Sequence, residues 1–190
     1  MAYYSKEKLN NMGFKYLGHN VKISDNASIY DFGQIEIGDN SRIDDFCVVS
    51  GKIAIGRNVH ITANCLLAGG SEGIVFEDFT TLAYACQVFT QSDDYSGNTM
   101  TNSTIPAEYK NEYKAGVIIE KFSIIGAGSI IFPGVRLAEG TSLGAMTLVL
   151  TSTKPWGLYI GQPAKRVKER SKSMLVKFNQ YISDVNSDTF

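Results

Sequence analysis

Asp93 and Asp94 stand side by side in the segment Thr90-Gln91-Ser92-Asp93-Asp94-Tyr95-Ser96-Gly97-Asn98, at the head of a polar stretch that also carries Tyr109 and Tyr113. A carboxylate in such a stretch can orient a substrate amine, accept its surplus proton or bind its cation. Asp94 is the favoured candidate because it adjoins Tyr95 and the Ser-Gly-Asn turn, with Asp93 second. An Asp before Ser-Gly-Asn is also a common turn former, and that reading stands beside the catalytic one.

Composition limits what those groups can serve. With 190 residues, 44% hydrophobic and a net charge of -1, the chain reads as one globular domain with no overall pull toward nucleic acid or an anionic membrane. No apolar run reaches the roughly 18 to 20 residues of a membrane span, and MAYYSKEKLNNMG lacks a secretory core, so neither membrane insertion nor secretion is expected. Cys47, Cys65 and Cys86 have no close C-x-x-C spacing, which suits a reducing, cytoplasmic compartment.

The elements that must position the aspartates are written in a six-residue period. Aliphatic or aromatic residues recur at Ile37, Ile43, Val49, Ile55, Ile61 and Leu67, then at Phe76, Leu82 and Val88, then from Ile119 to Val149. A short insertion within Gly69 to Gly73 separates the first two runs, and about thirty residues separate the second from the third. Period six is neither helical nor simple strand alternation, so it describes a solenoid whose triangular coil holds three hexapeptides.

Two residues before each of these lies a second inward column. It reads Ile35, Ile53, Ile74, Val117, Val135 on one face; Ser41, Val59, Thr80, Ser123, Thr141 on the next; and Cys47, Cys65, Cys86, Ser129, Thr147 on the third. The cysteines are therefore read as small buried residues and not as a metal site. Gly38, Gly56, Gly126 and Gly144 are assigned to turns that need unusual backbone angles. His60, just before inward Ile61, should point outward from the second face, where it is a candidate substrate contact.

The stretch IEIGDN-SRIDDF-CVVSGK-IAIGRN-VHITAN resembles the hexapeptide-repeat acyltransferases, which are left-handed parallel β-helices. The resemblance covers roughly Val21 to Pro163. It implies a mainly β fold of about five triangular coils: an N-terminal helical cap over residues 1–20, the β-helix over 21–163 with an excursion loop over 89–116, and a C-terminal helix and tail over 164–190. Ser5 and Gly13 should cap the first helix, Met174, Leu175 and Phe178 should pack the last one back, and Asp184 to Phe190 should be loose. Zinc enzymes with this fold use three histidines, whereas this chain has His19 and His60 alone, so no metal is expected.

Many hexapeptide acetyltransferases carry a catalytic histidine in the loop that corresponds to Thr90–Asp94, and this chain has none there. A hydroxyl acceptor needs a base to remove its proton, while an unprotonated amine does not. The missing histidine favours N-acylation. Segments YSKEKLNNMGF, DDYSGN, TIPAEYKN, SIIFPGV and GAMTLV resemble nucleotide-sugar N-acyltransferases, especially those of the anthrose-pathway type, which acylate the 4-amino group of a dTDP-linked dideoxy sugar.

That resemblance implies acetyl-CoA or another acyl-CoA as cosubstrate, a nucleotide-linked amino sugar as acceptor, and a homotrimer with active sites between subunits. Coenzyme A is expected along the C-terminal coils, where Ala127 and Gly128 stack on Ala145 and Met146, with Lys165 or Arg166 holding its 3′-phosphate. Related sequences carry a small hydroxyl residue near Leu82-Ala83-Tyr84, so that contact is either absent here or replaced by Tyr84; Tyr95 and Tyr109 are further candidates for the acceptor. Arg42, Arg57, Lys110 and Lys114 are the cations available for a diphosphate. Two other readings remain open at this point: a saccharide O-acetyltransferase using His60 or an Asp as base, and a non-catalytic trimeric β-helix scaffold.

Overall fold

The computed structural model describes residues 2–187. Three sheets of six, eight and six strands wrap one core, parallel except for the last strand of the eight, because each coil strand pairs with the equivalent strand of the neighbouring coils. His60, for example, is in register with Arg42 on one side and Thr81 on the other. The two inward columns are buried throughout: Ile37, Leu67, Leu82, Ile125 and Val149 lie at 0–1% exposure, as do Cys47, Cys65 and Cys86.

Six complete coils stack, and the strand Gly157–Ile160 begins a seventh. The expectation of about five was low. The additional N-terminal coil contains Tyr16–Leu17, Lys22–Ile23 and Ser28–Ile29. It is out of phase because a 3-10 turn at Phe32–Gln34, entered through left-handed Asp31, separates Ile29 from Ile37 by eight residues.

The glycine reading also needs correction. Gly38, Gly56, Gly126 and Gly144 are not among the positive-φ residues, which fall two positions later, at Asn40, Asn58, Gly128 and Met146. What bars a side chain at the earlier position is the next coil: a Cβ on Gly126 would lie 2.5 Å from the backbone of Gly144 and Ala145.

The appendages close the two ends. Helix α1, Lys6–Asn11, is capped as expected: the Ser5 hydroxyl accepts a hydrogen bond from the Lys8 N–H, and Gly13 follows with φ +83°. The C-terminal segment differs from its expected single helix. Lys165–Glu169 is a strand antiparallel to Gly157–Ile160, and helix α2 runs from Met174 to Ser187. Met174, Leu175 and Phe178 are half-buried, and Phe178 wedges between Phe79 and Phe122 with ring centroids 5.1 and 4.9 Å away. Residues 184–187, expected to be loose, continue this helix, and positions 188–190 lie outside the described residues.

Candidate active site

The excursion leaves the fourth coil after strand Gln87–Phe89 and returns at Val117. Its two legs pair as an antiparallel ladder, Gln91 with Lys114 and Ser92 with Tyr113, so the loop has a fixed stem. Glu112 anchors the returning leg: its carboxylate meets Lys110 Nζ at 2.9 Å and Lys114 Nζ at 3.1 Å. The lysine hydrogen bonds, Lys110 first, hold the Glu112 carboxyl down to about 2.

Between this stem and the third face lies a cavity of about 460 Å³, lined by Ser50 and Gly70 from the solenoid and by Thr90, Asp93, Ser103 and Glu112 from the excursion. Asp93 borders it. One Asp93 oxygen accepts a long 3.4 Å hydrogen bond from the Asn102 N–H. Asp94 is engaged elsewhere: its oxygens accept from the Ser96 N–H at 2.8 Å and from the Thr99 hydroxyl at 3.0 Å. The bonds from Ser96, then Thr99, hold the Asp94 carboxyl below its ordinary value, which makes it a weaker base and a stronger turn anchor. Glu112, Ser50 and Ser103 were missed in the sequence; the Lys-Asn-Glu-Tyr-Lys alternation, which puts Lys110, Glu112 and Lys114 on one side of a strand, was the available signal.

A second arrangement occupies the corner between the second and third faces. Phe46, Asn64, Ala85, Gly128 and Met146, all with φ between 57° and 70°, turn this corner in successive coils. The N–H of each donates to the preceding coil, Gly128 to the Tyr84 carbonyl and Met146 to the Ala127 carbonyl, both at 2.8 Å. Ala127 thus lies over Ala145, with Tyr84 next in the column. The segment after Ile160 returns to this edge: the Gln162 side-chain amide donates to the Met146 carbonyl at 2.9 Å, and the Ala164 N–H donates to the Leu148 carbonyl at 2.8 Å. Lys165 therefore follows directly past the end of the groove. Arg166 is paired with Glu169 at 2.6 Å.

Other sequence candidates lie apart from the cavity. His60 faces outward on the second face, where its Nε2 lies 2.9 Å from Asp44 Oδ2, and Arg42 Nε meets the other Asp44 oxygen at 2.5 Å. Tyr95 is 88% exposed, and Tyr109 ends a 3-10 turn, also exposed. None of the four cations named for a diphosphate is unpaired: Arg42 is bound to Asp44, Arg57 to Asp78, and Lys110 and Lys114 to Glu112. A hollow of about 570 Å³ is lined by Arg57 and Asp78, and Arg57 is the one candidate site residue in it.

Among the described residues no cluster of His, Cys, Asp or Glu is arranged to hold a metal ion. The three thiols instead bond along the core, Cys47 to the Thr62 carbonyl and Cys86 to the Gly126 carbonyl. The Cys65 hydrogen bond and burial push the Cys47 thiol up, while the bond from Cys65 lowers Cys86.

Hexapeptide coils around a buried core, with a small-residue corner and a loop cavity, define a hexapeptide-repeat transferase; residues 34–69 match the family described as Bacterial transferase hexapeptide (six repeats). Over 178 residues the chain is 41% identical to a dTDP-4-amino-4,6-dideoxy-D-glucose acyltransferase of Escherichia coli, covering 92% of each chain. It belongs to that family of nucleotide-sugar acyltransferases. Among solved structures, the N-acyltransferase AntD of Bacillus cereus, in complex with dTDP and 3-hydroxybutyryl-CoA, is 44% identical with a TM-score of 0.95, covering 97% of this chain and 98% of AntD. A serine-to-cysteine variant of AntD in complex with dTDP-4-amino-4,6-dideoxyglucose and coenzyme A has the same identity and TM-score over 96% and 97% of the two chains.

Proposed function

We propose that this protein transfers an acyl group from a coenzyme A thioester to the 4-amino group of dTDP-4-amino-4,6-dideoxyglucose, or a close dTDP-amino sugar, for bacterial surface glycan synthesis. The observation that carries this reading is the 44% identity and 0.95 TM-score to AntD in complex with that amino sugar and coenzyme A. The reaction needs no cofactor beyond the acyl-CoA cosubstrate. We place it in the cytoplasm, where acyl-CoA is available; no described helix is long and apolar enough to cross a membrane.

The residues divide the work. Ala127, Gly128, Ala145 and Met146 form the groove for the pantetheine arm, whose amides find backbone partners there, and Lys165 stands at its far end for the 3′-phosphate. Asp93 is assigned to the acceptor amine because its carboxylate borders the cavity with little competing hydrogen bonding. The amine nitrogen attacks the thioester carbonyl, a C–N bond forms, and the C–S bond breaks with its electron pair moving to sulfur. The surplus amine proton passes through Asp93 or directly to the thiolate, which is a stronger base than a carboxylate, and the products are the amide and free coenzyme A. The Ala127 N–H, which unlike those of Gly128 and Met146 makes no ladder bond, is assigned to the oxyanion that develops in between.

One chain does not bring these parts together. The groove and the excursion lie at opposite edges of the third face, separated by a strand side of roughly 15 to 20 Å at about 3.3 Å per residue. The same face presents Val48, Leu66, Ile130 and Leu148 outward, a mostly apolar column that Gln87 interrupts between Leu66 and Ile130. A homotrimer in which one subunit's groove meets the next subunit's excursion resolves both features. Tyr84 and the excursion belong to the same coil, which puts the thioester end of the groove and Asp93 at one height along the axis.

Coenzyme A release measured with dTDP-4-amino-4,6-dideoxyglucose, against the corresponding 4-hydroxy nucleotide sugar, tests the proposal. Turnover with the amine alone is expected; turnover only with hydroxyl acceptors would sink it.

A further inference from the structure

We infer that Tyr84 closes the acyl end of the coenzyme groove and restricts the transferred group to acetyl, a conclusion that rests on the acyltransferase reading above. Along the corner, successive coils place Ala63, Tyr84, Ala127 and Ala145 in one column. Three of these are methyl-sized, and Tyr84 interrupts them. The ladder fixes the root of its side chain from both sides: the Ala85 N–H donates to the Ala63 carbonyl at 3.1 Å, and the Tyr84 carbonyl accepts from the Gly128 N–H at 2.8 Å. Cys86, two residues on, is pinned in the core by its bond to the Gly126 carbonyl. The phenol ring therefore moves only about its own side-chain torsions.

Packing within its own chain does not explain a tyrosine here. Tyr84 is 63% exposed in the single chain, and its hydroxyl has no partner among the described residues of that chain. An aromatic ring left uncovered by its own coils on a rigid corner, in line with a groove that fits a pantetheine arm, is a wall for whatever the arm carries. A cosubstrate lying over Ala145 and Ala127 points its thioester toward Tyr84. An acetyl group ends short of the ring, whereas a butyryl group, two methylenes longer, runs into it. AntD, by contrast, has been seen in complex with the four-carbon 3-hydroxybutyryl-CoA.

The test compares initial rates with acetyl-, butyryl- and 3-hydroxybutyryl-CoA at saturating dTDP-4-amino-4,6-dideoxyglucose for the unaltered protein, Tyr84→Ala and Tyr84→Phe. The unaltered protein should favour acetyl over butyryl by roughly tenfold or more in kcat/KM, the scale on which pockets separate chains by a methylene or two. Tyr84→Ala should bring that ratio close to one or invert it, and Tyr84→Phe, which keeps the ring, should preserve it. A ratio unchanged in Tyr84→Ala, or an unaltered protein that already prefers the longer chains, overturns the assignment. Calorimetry with coenzyme A reads the underlying proposal separately: no binding at all overturns the acyltransferase reading, while binding with an unchanged ratio overturns the role of Tyr84 alone.

Discussion

Asp93 and Asp94 are adjacent in the chain, yet their carboxylates face different partners. Asp94 spends both oxygens on Ser96 and Thr99, closing the turn that follows it, while Asp93 borders the cavity beside Glu112 and holds one long hydrogen bond to Asn102. With one long bond against two on Asp94, Asp93 keeps the larger acceptor capacity for an ammonium or hydroxyl group from a substrate.

Asp93→Asn is therefore expected to lower kcat/KM for the amino sugar by roughly tenfold to a hundredfold, the loss that follows when a charge-assisted contact of about 1.5–3 kcal/mol is removed. Asp94→Asn should act through the loop instead. Steady-state kinetics together with amide exchange over residues 94–104 separate the two: faster exchange with a modest kinetic loss is expected for Asp94→Asn alone. Equal kinetic losses without a change in exchange would put both aspartates on the substrate.

The solenoid was legible because covalent spacing alone sets which residues face inward, and every residue from Ile37 to Val149 assigned to the two columns is buried. The coil before them escaped notice because Phe32–Gln34 shifts its phase. The choice between Asp93 and Asp94 was not legible: a carboxylate's direction in a loop depends on which neighbour donates to it, and two consecutive aspartates carry the same sequence signal. Lys165–Glu169 read as helix from its basic, polar composition, but the antiparallel edge of Gly157–Ile160 captures it as a strand. Lys110 and Lys114 looked like free cations until the hairpin stem brought both onto Glu112.

Gly126 offers a test of why the coil glycines are needed. A methyl group there meets the backbone of the next coil at 2.5 Å, whereas one on Gly33 meets nothing within 4 Å. Gly126→Ala should cost about 1–3 kcal/mol through overpacking, lowering Tm by roughly 2–10 °C. Gly33→Ala should leave Tm almost unchanged. Calorimetric melts that show equal effects at the two sites would mean that close coil approach is not the reason for Gly126.

The lysine clamp on Glu112 predicts a pH signature for the excursion. A carboxyl held below its ordinary value adds stability that is fully present above the ordinary carboxylate pKa, near 4.3, and is lost as pH falls through the folded value. Here that value is about 2. The side-chain carboxyl carbon of Glu112, followed by NMR, should titrate near pH 2, and Lys110→Met should move its midpoint upward. A midpoint near 4.3 in the unaltered protein would mean that the Lys110–Glu112–Lys114 cluster does not hold the stem in solution.

His60 decides between amine and hydroxyl chemistry. Its Nε2 is bonded to Asp44, whose side chain is 5% exposed and also grips Arg42, so the imidazole is oriented by a carboxylate as a catalytic base would be. His60, however, sits on the flat of the second face, three residues before the groove corner at Ala63, and among the described residues no histidine lines the cavity. His60→Ala is expected to retain kcat/KM for the amino sugar within about threefold, against the 10²–10⁴-fold loss that follows removal of a general base. It should also lower stability by about 1–3 kcal/mol, because Asp44 keeps Arg42 but loses one partner for a buried oxygen. A collapse of activity with the melting temperature intact would transfer the base to His60 and favour O-acylation.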